Sequence, residues 1–339
     1  WMPNWLGDAI LTLPAIQAVR AKYPDARITA VARQPAYEIL SFHPAFDSVI
    51  KIPFTKSSGI MSQINFARRL RKYQFDVAMV FPNSFRSALL TRFTDAPVRV
   101  GYDTDNRSLF LTDPLKIHTE VKEGHGIDFY GHLVSSLGVE DVGKKLTPLV
   151  FPQGYKADEK ILSRLGITAD DLVISVAPGA SKPEKRWHAD RFGILCQKLV
   201  KDRGAKILLF GSAGETVLLD DIGKFCPGKA NSRLPGLRLD VVASLIGRSD
   251  LFIGNDSGLM HLAALMQTPL VGIFGPGNRL TTEPCIDREK KEIVSKNYPC
   301  SPCRHNFFKE CKPSVHNKPY CLEDISVADV SEAVERLLP

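Results

Sequence analysis

The sequence predicts an α/β protein built as two Rossmann-like domains with parallel sheets, facing each other across an active-site cleft. Three observations carry the prediction. Short apolar runs of strand length alternate with helix-length amphipathic segments along the whole chain. The stretch Lys144–Gly154, with two prolines and a glycine, divides that alternation into two series. The chain has 339 residues, more than one ordinary core organises. The expected domains are therefore residues 1–150 and 151–339, the second carrying a cysteine-rich loop at 300–321.

In the first series, helical periodicity runs over Leu6–Lys22. A strand follows at Arg27–Val31, a helix at Pro35–Leu40 and a strand at Ser48–Ile52. The spacing then predicts a helix over Ser57–Arg71, a buried parallel strand at Asp76–Phe81, a helix at Phe85–Phe93, a strand at Val98–Val100 and a helix at His125–Leu137. In the second series, strands are expected at Leu172–Ala177, Ala205–Phe210, Leu251–Ile253 and Leu270–Phe274. Helices are expected at His188–Arg203, Glu215–Phe225, Gly258–Met266 and Val327–Leu338, with a long irregular segment before the last. Strands separated by helices form right-handed crossovers, and ligands of such sheets sit beyond the carboxyl ends of the strands.

Composition narrows the function classes. Apolar residues make up 44% of the chain, which excludes a disordered or fibrous protein. No run of about 18 apolar residues predicts a spanning helix, and no signal peptide stands at the start, so a cytoplasmic location is expected. The chain opens on Trp1, directly before a motif that ordinarily follows a strand, so a few further residues, most of a first strand, are expected ahead of it. The net charge of +7 favours anionic partners, among which nucleotide diphosphates, phosphorylated lipids and nucleic acid all fit. Ser48–Phe75 lacks Asp and Glu but holds Lys51, Lys56, Arg68, Arg69, Arg71 and Lys72. That stretch reads either as a solvated face or as a patch for an acidic acceptor or an anionic membrane.

Three strand-end turns carry candidate chemistry. Pro3-Asn4-Trp5-Leu6-Gly7-Asp8 opens the first helix; Asp8 reads as a helix cap or as a carboxylate able to accept an acceptor hydroxyl's proton. Ala177-Pro178-Gly179-Ala180-Ser181, followed by Lys185-Arg186-Trp187, offers close backbone approach at Gly179, a hydroxyl at Ser181 and a full charge at Lys185 where a leaving diphosphate would grow negative. An ordinary loop with a solvated lysine has the same residues. Gly254-Asn255-Asp256-Ser257-Gly258-Leu259-Met260-His261 joins another strand to a helix. Its Ser257 and Gly258 amides suit a phosphate, Asp256 suits sugar hydroxyls, and His261 is either a cleft residue or a core histidine.

These three motifs, in this order and spacing, resemble those of the ADP-heptose:lipopolysaccharide heptosyltransferases of the GT-B fold. The resemblance covers nearly the whole chain. Asn4-Trp5-Leu6-Gly7-Asp8 and Phe81-Pro82-Asn83-Ser84-Phe85-Arg86-Ser87 are more similar to type II than to type I members. The resemblance implies Asp8 as catalytic base, with Ser181 and Lys185 on the diphosphate. It implies Glu215, in Gly211-Ser212-Ala213-Gly214-Glu215, on the nucleoside, and Asp256, Ser257, Gly258 and His261 in the donor turn. Ala180 stands where type I relatives have a hydroxyl residue. Arg86, with Asn83 and Ser84, is a candidate for the acidic Kdo sugars of an acceptor, or an exposed arginine at a helix start.

The resemblance further implies an inverting transfer of heptose from ADP-heptose to the heptosyl-Kdo2-lipid A inner core. It implies no essential Mg²⁺ and no other cofactor for the chemistry. The expected place is the cytoplasmic face of the inner membrane of a Gram-negative bacterium, held peripherally on its anionic leaflet, with no nucleic-acid partner. The alternatives are a type I enzyme acting on Kdo2-lipid A, another GT-B nucleotide-sugar transferase or epimerase, and a non-catalytic binder of anionic surfaces.

Seven cysteines occur, and four cluster as Cys300-x2-Cys303-x7-Cys311-x9-Cys321. A tetrahedral structural zinc site, free thiols, and a disulfide or redox pair all fit that spacing, with His305 and His316 as substitute ligands.

Overall fold

The computed structural model describes all residues except 56, 227, 229, 304–306 and 339. The chain divides into two compact units, Trp1–Lys145 and Leu146–Pro339. Lys56 and His305 lie outside the described residues.

The first unit carries β1 (Thr29–Ala32) and β2 (Ser48–Lys51) as a parallel pair. A second parallel sheet holds β3 (Val77–Val80), β4 (Val98–Tyr102) and β5 (Asp113–Leu115). Trp1 and Met2 lie between the sheets. The Met2 amide donates to the Val31 carbonyl at 3.0 Å, and the Phe81 amide donates to the Trp1 carbonyl at 3.2 Å. A cavity of about 650 Å³ opens beside them, lined in part by Ile28, Ala30, Leu70, Val77 and Met79.

The helix expected over Leu6–Lys22 is two helices, Leu6–Leu11 and Leu13–Lys22. Pro14 explains the break. It has no amide proton and its ring collides with the preceding turn, so it is tolerated only near a helix start. Thr12 seals the junction by donating its hydroxyl to the Ala9 carbonyl at 2.7 Å. Likewise the predicted Ser57–Arg71 helix narrows to Ile60–Arg69, and the chain tightens into a short 3₁₀ turn at Leu70–Tyr73.

The second unit is one six-stranded parallel sheet. Its strands are β6 (Val173–Ala177), β7 (Lys206–Gly211), β8 (Asn231–Pro235), β9 (Leu251–Asn255), β10 (Leu270–Phe274) and β11 (Lys291–Ser295), in the order β11-β10-β9-β6-β7-β8. The strand order reverses between β6 and β9. In doubly wound sheets that reversal opens a crevice at the strands' carboxyl ends, where ligands bind. Every residue of β6, β9 and β10 is buried, as expected of strands covered by helices on both faces. The core between sheet and helices includes Ile174, Val176, Trp187, Phe192, Leu209, Ile253 and Ile273.

Candidate active site

In the second unit, the turns after β6 and β9 meet at the reversal point. Asn255, wholly buried at the end of β9, ties them together. Its Oδ1 accepts from the Trp187 amide at 3.0 Å, and its Nδ2 donates to the Pro178 carbonyl at 2.7 Å. In the sequence Asn255 stands inside the Gly254–His261 motif with nothing local to mark its role. Its clasp brings Lys185 to Asp256: Nζ and Oδ2 are 2.5 Å apart, with both side chains largely out of solvent.

Two glycines make this packing possible. A Cβ on Gly277 would meet Asp256 Oδ2 at 2.5 Å, and one on Gly179 would meet Glu215 Oε1 at 2.4 Å. Both distances are far inside contact, so a side chain at either position would displace the carboxylate beside it, and glycine serves here for proximity rather than for backbone angle. Glu215 is held in turn. Its Oε2 accepts from the Ser212 amide and hydroxyl, both at 2.9 Å, closing a capping box, while Oε1 lies 3.4 Å from Arg186.

Ser257 is the residue before the helix Gly258–Leu265 but makes no side-chain cap bond. Its Oγ is sealed from solvent and has no hydrogen-bond partner among the described residues. A sealed, unsatisfied hydroxyl is costly, so a ligand that accepts from it gains affinity. The positive end of that helix lies at the same place. Ser181 is exposed on the turn after β6. His261 is buried inside the helix, among core residues Met260, Leu262 and Ala263.

In the first unit, Asp8 is not a helix cap. The helix Leu6–Leu11 begins after Trp5, and the Asp8 carboxylate instead accepts from the Tyr130 hydroxyl at 3.1 Å. Burial first, and then the neighbouring Asp8, push the Tyr130 phenol well above its usual range. Tyr130 therefore keeps its proton and fixes the carboxylate's direction. This partner is 122 positions away in sequence, and no local pattern pointed to it.

The turn after β3 is organised differently. Ser84 caps the helix Phe85–Arg92, accepting from the Ser87 amide. Asn83 Oδ1 accepts from Arg107 at 3.3 Å, and the Asn83 carbonyl accepts from Thr104 at 3.0 Å. Arg107 is fully buried and also donates to the carbonyls of Tyr102 (2.7 Å) and Pro82. Burial lowers its guanidinium to about 10 despite Asp105 and Asp103 nearby, which still leaves it charged at neutral pH. Asn83 and Ser84 thus hold the turn together, while Arg86 is exposed on it.

The model of glycosyltransferase family 9, the heptosyltransferases, matches residues 63–312. The chain belongs to this family. It is a glycosyltransferase of the GT-B fold. The family 9 chain is 29% identical to lipopolysaccharide heptosyltransferase 2 of Salmonella typhimurium, over 83% of each protein. It is 27% identical to lipopolysaccharide heptosyltransferase 3 of Escherichia coli K12, over 98% of this chain and 95% of that one. The solved structure of E. coli ADP-heptose LPS heptosyltransferase II aligns with a TM-score of 0.80 and 26% identity, covering 99% of this chain and 97% of the other.

Six of the seven cysteines of this family 9 enzyme fall into two kinds, Cys285 standing apart from both. Cys196 and Cys226 are buried in the core, where burial raises both thiols. Cys300, Cys303, Cys311 and Cys321 are half-buried and form no disulfide in the segment after β11. Burial pushes Cys321 up to about 12, with Cys303, Cys300 and Cys311 close enough to add to the shift. Nearby, His188 Nε2 and His316 Nδ1 lie 3.1 and 3.0 Å from the two oxygens of Glu323. That trio's ligand atoms all fall within 4.8 Å of one another. Among the described residues no helix is long and apolar enough to cross a membrane.

Proposed function

We propose that this family 9 glycosyltransferase moves a heptose from ADP-heptose onto the inner core of lipopolysaccharide, with inversion at the anomeric carbon. The observation that carries the reading is the Lys185–Asp256 pair at the point where the β6–β9 strand order reverses. The similarity to heptosyltransferases 2 and 3 over most of the chain supports it.

In this reading the diphosphate lies against Gly179, Ser181 and the Ser257–Gly258 helix start, and accepts from the sealed Ser257 hydroxyl. Lys185 exchanges its carboxylate partner for the diphosphate, and Asp256 turns to the sugar hydroxyls. Glu215 offers Oε1 to the nucleoside, its other oxygen being committed to Ser212. His261, in the first turn of the helix Gly258–Leu265, belongs to the donor turn as well.

Asp8, aimed by Tyr130, takes the proton of the attacking acceptor hydroxyl. That oxygen bonds to the anomeric carbon as the bond from that carbon to the diphosphate breaks. ADP leaves with the electron pair, its growing charge balanced by Lys185 and the helix start. Arg86 reads the acidic Kdo sugars of the acceptor, on a helix that Asn83 and Ser84 keep in place. The residues up to Lys145 serve the acceptor and the remainder serves the donor.

Peripheral attachment to an anionic membrane belongs to the same reading. The helix Ile60–Arg69 exposes Ile60 (43%) and Met61 (58%) at its start and Arg68 and Arg69 in its last turn, an apolar tip at one end and a basic one at the other.

The deciding experiment incubates the protein with ADP-heptose and lipid A–Kdo acceptors bearing zero, one or two heptoses, and reads product mass. Gain of one heptose on the mono-heptosyl acceptor is expected. Gain on a different acceptor would reassign the step. Transfer from a UDP-sugar, with no ADP-heptose turnover, would refute the proposal.

A further inference from the structure

Among the described residues of the first unit, four arginines are buried or half-buried: Arg20, Arg33, Arg99 and Arg107. Three of them have acids at hand. Arg20 donates to Asp47, Arg99 has Asp95 and Asp113 as charged neighbours, and Arg107 has Asp105 and Asp103. Arg33 forms no ion pair among the described residues. A charge withdrawn from water is ordinarily paired, because solvent no longer supports it. The Arg33 guanidinium lies over the Phe54 ring at 4.8 Å, and its Nη1 donates to the Phe54 carbonyl. Phe54 is itself buried and packs edge-on against Phe66 at 5.5 Å, so the guanidinium rests on a firm platform. The stretch that supplies this platform, residues 48–75, contains no Asp or Glu. Glu38, the nearest acid in sequence, accepts from Gln34 at 2.7 Å.

Strand register puts Arg33 at the edge that carries Asp8 and Arg86. Trp1 is a parallel neighbour of Val80: its nitrogen donates to the Met79 carbonyl at 2.7 Å, and its carbonyl accepts from the Phe81 amide at 3.2 Å. On its other side the Met2 amide donates to the Val31 carbonyl at 3.0 Å. Three turns therefore leave the strands side by side. Arg33 directly follows β1, residues 3–8 follow Met2, and residues 82–86 follow Phe81. Arg33 and Arg86 thus flank the turn that carries Asp8, each one strand spacing of about 4.8 Å to its side. Burial first, and then the like charge of Arg86, pull the Arg33 guanidinium below its usual range, in keeping with that order.

We propose that Arg33 is a specificity residue of the acceptor side, seating the carboxylate of an acidic sugar between itself and Arg86. This seat rests on the acceptor reading above, in which the acceptor carries acidic Kdo sugars. With Nη1 committed to Phe54, Nε and Nη2 remain as the pair that can meet both oxygens of a carboxylate. An anion held there also relieves the repulsion between the two cations. The acidic sugar then anchors the acceptor one turn away from Asp8 and takes no part in the bond that forms. A phosphate on the acceptor's lipid could make the same fork contact, so the experiment separates the two anions.

The test uses the full chain and three acceptors: a Kdo-bearing lipid A acceptor, the same molecule with its carboxylates converted to neutral amides, and the same molecule stripped of its lipid phosphates. Wild-type kcat/KM should fall about tenfold on the amide, through KM, and little on the dephosphorylated acceptor. Arg33→Met keeps an apolar stem on Phe54. It should lose about tenfold on the native acceptor and nothing further on the amide. Arg33→Lys should recover part of that loss, since it keeps the charge but not the fork. ADP affinity and melting temperature should be unchanged in both variants. Equal losses for Arg33→Met on the native and amide acceptors would overturn the seat. A loss that vanishes only on the dephosphorylated acceptor would overturn it too, in favour of a phosphate. A second measurement needs no turnover and no methionine variant. Free Kdo and its amide are titrated into the wild type while the arginine Nε–H resonances are followed, the Arg33 signal being assigned with Arg33→Lys. That signal should move with the acid and not with the amide; an unmoved signal would overturn the seat. Should the wild type transfer heptose to none of the acceptors, the proposed function falls, and the titration still decides on Arg33.

Discussion

Lys185 in the second unit and Arg107 in the first are both cations withdrawn from water, yet their surroundings differ in kind. Arg107 is saturated: it donates to two carbonyls and to Asn83. Lys185 has, among the described residues, one ion-pair partner, the Asp256 carboxylate. A buried cation satisfied on every side is scaffolding, because any move strands its partners. A cation balanced by one exchangeable carboxylate can be drawn off by a better anion. The contrast separates residues that hold a turn from residues that act at it, although both occur in strand-end turns of similar composition.

Four variants bear on that contrast. The largest effect is expected at Asp8, the first unit's one candidate for proton transfer. Asp8→Asn should reduce turnover by about 10²–10⁴-fold with ADP affinity and melting temperature unchanged. Tyr130→Phe should lose about tenfold, the effect of removing one hydrogen bond to a charged oxygen. Steady-state kinetics beside ADP calorimetry would check both, and near-normal turnover in the asparagine variant would remove Asp8 from the chemistry.

Lys185→Ala should come next, with turnover down about 10²–10³-fold while the protein stays folded. Should the alanine variant lose its cooperative melting transition instead, Lys185 would be scaffolding after all, and its difference from Arg107 would vanish.

Arg107→Met is expected to affect catalysis least and stability most. Chemical denaturation should show a loss of about 3 kcal/mol, because buried carbonyls lose a charged donor. Turnover per folded molecule should stay within a few-fold of wild type. A large drop in turnover without destabilisation would place Arg107 at the acceptor.

The sequence was most legible where burial is complete. β6, β9 and β10 are wholly buried runs, apolar but for Ser175 and the terminal Asn255, and Leu270–Phe274 was read with its observed bounds. It was least legible at sheet edges and at elements held by charge. Asn231–Pro235 alternates burial along an edge strand and ends in proline, and Lys291–Ser295 is mostly half-buried inside a stretch read as irregular. The helix Ala157–Leu165 fully buries only Asp158, which pairs with Arg248 at 3.1 Å, and its apolar positions Ala157, Ile161, Leu162 and Leu165 are only half-buried, a short stripe easily passed over. The second unit's donor-site candidates lie within three short motifs, and their proximity follows from strand order. Tyr130 and Arg107 reach their partners through tertiary packing, which local spacing does not encode.

The Asn255 side chain has a consequence for how this donor site can change. One amide group, 68 positions from Trp187 and 77 from Pro178 in sequence, ties both ends of the loop after β6 to the loop that follows β9. Neither loop can be lengthened or re-aimed alone without stranding half of that amide. Variation in sugar or nucleotide preference should therefore enter through side chains such as Ala180 or Glu215, on a frame that shifts as one piece or not at all.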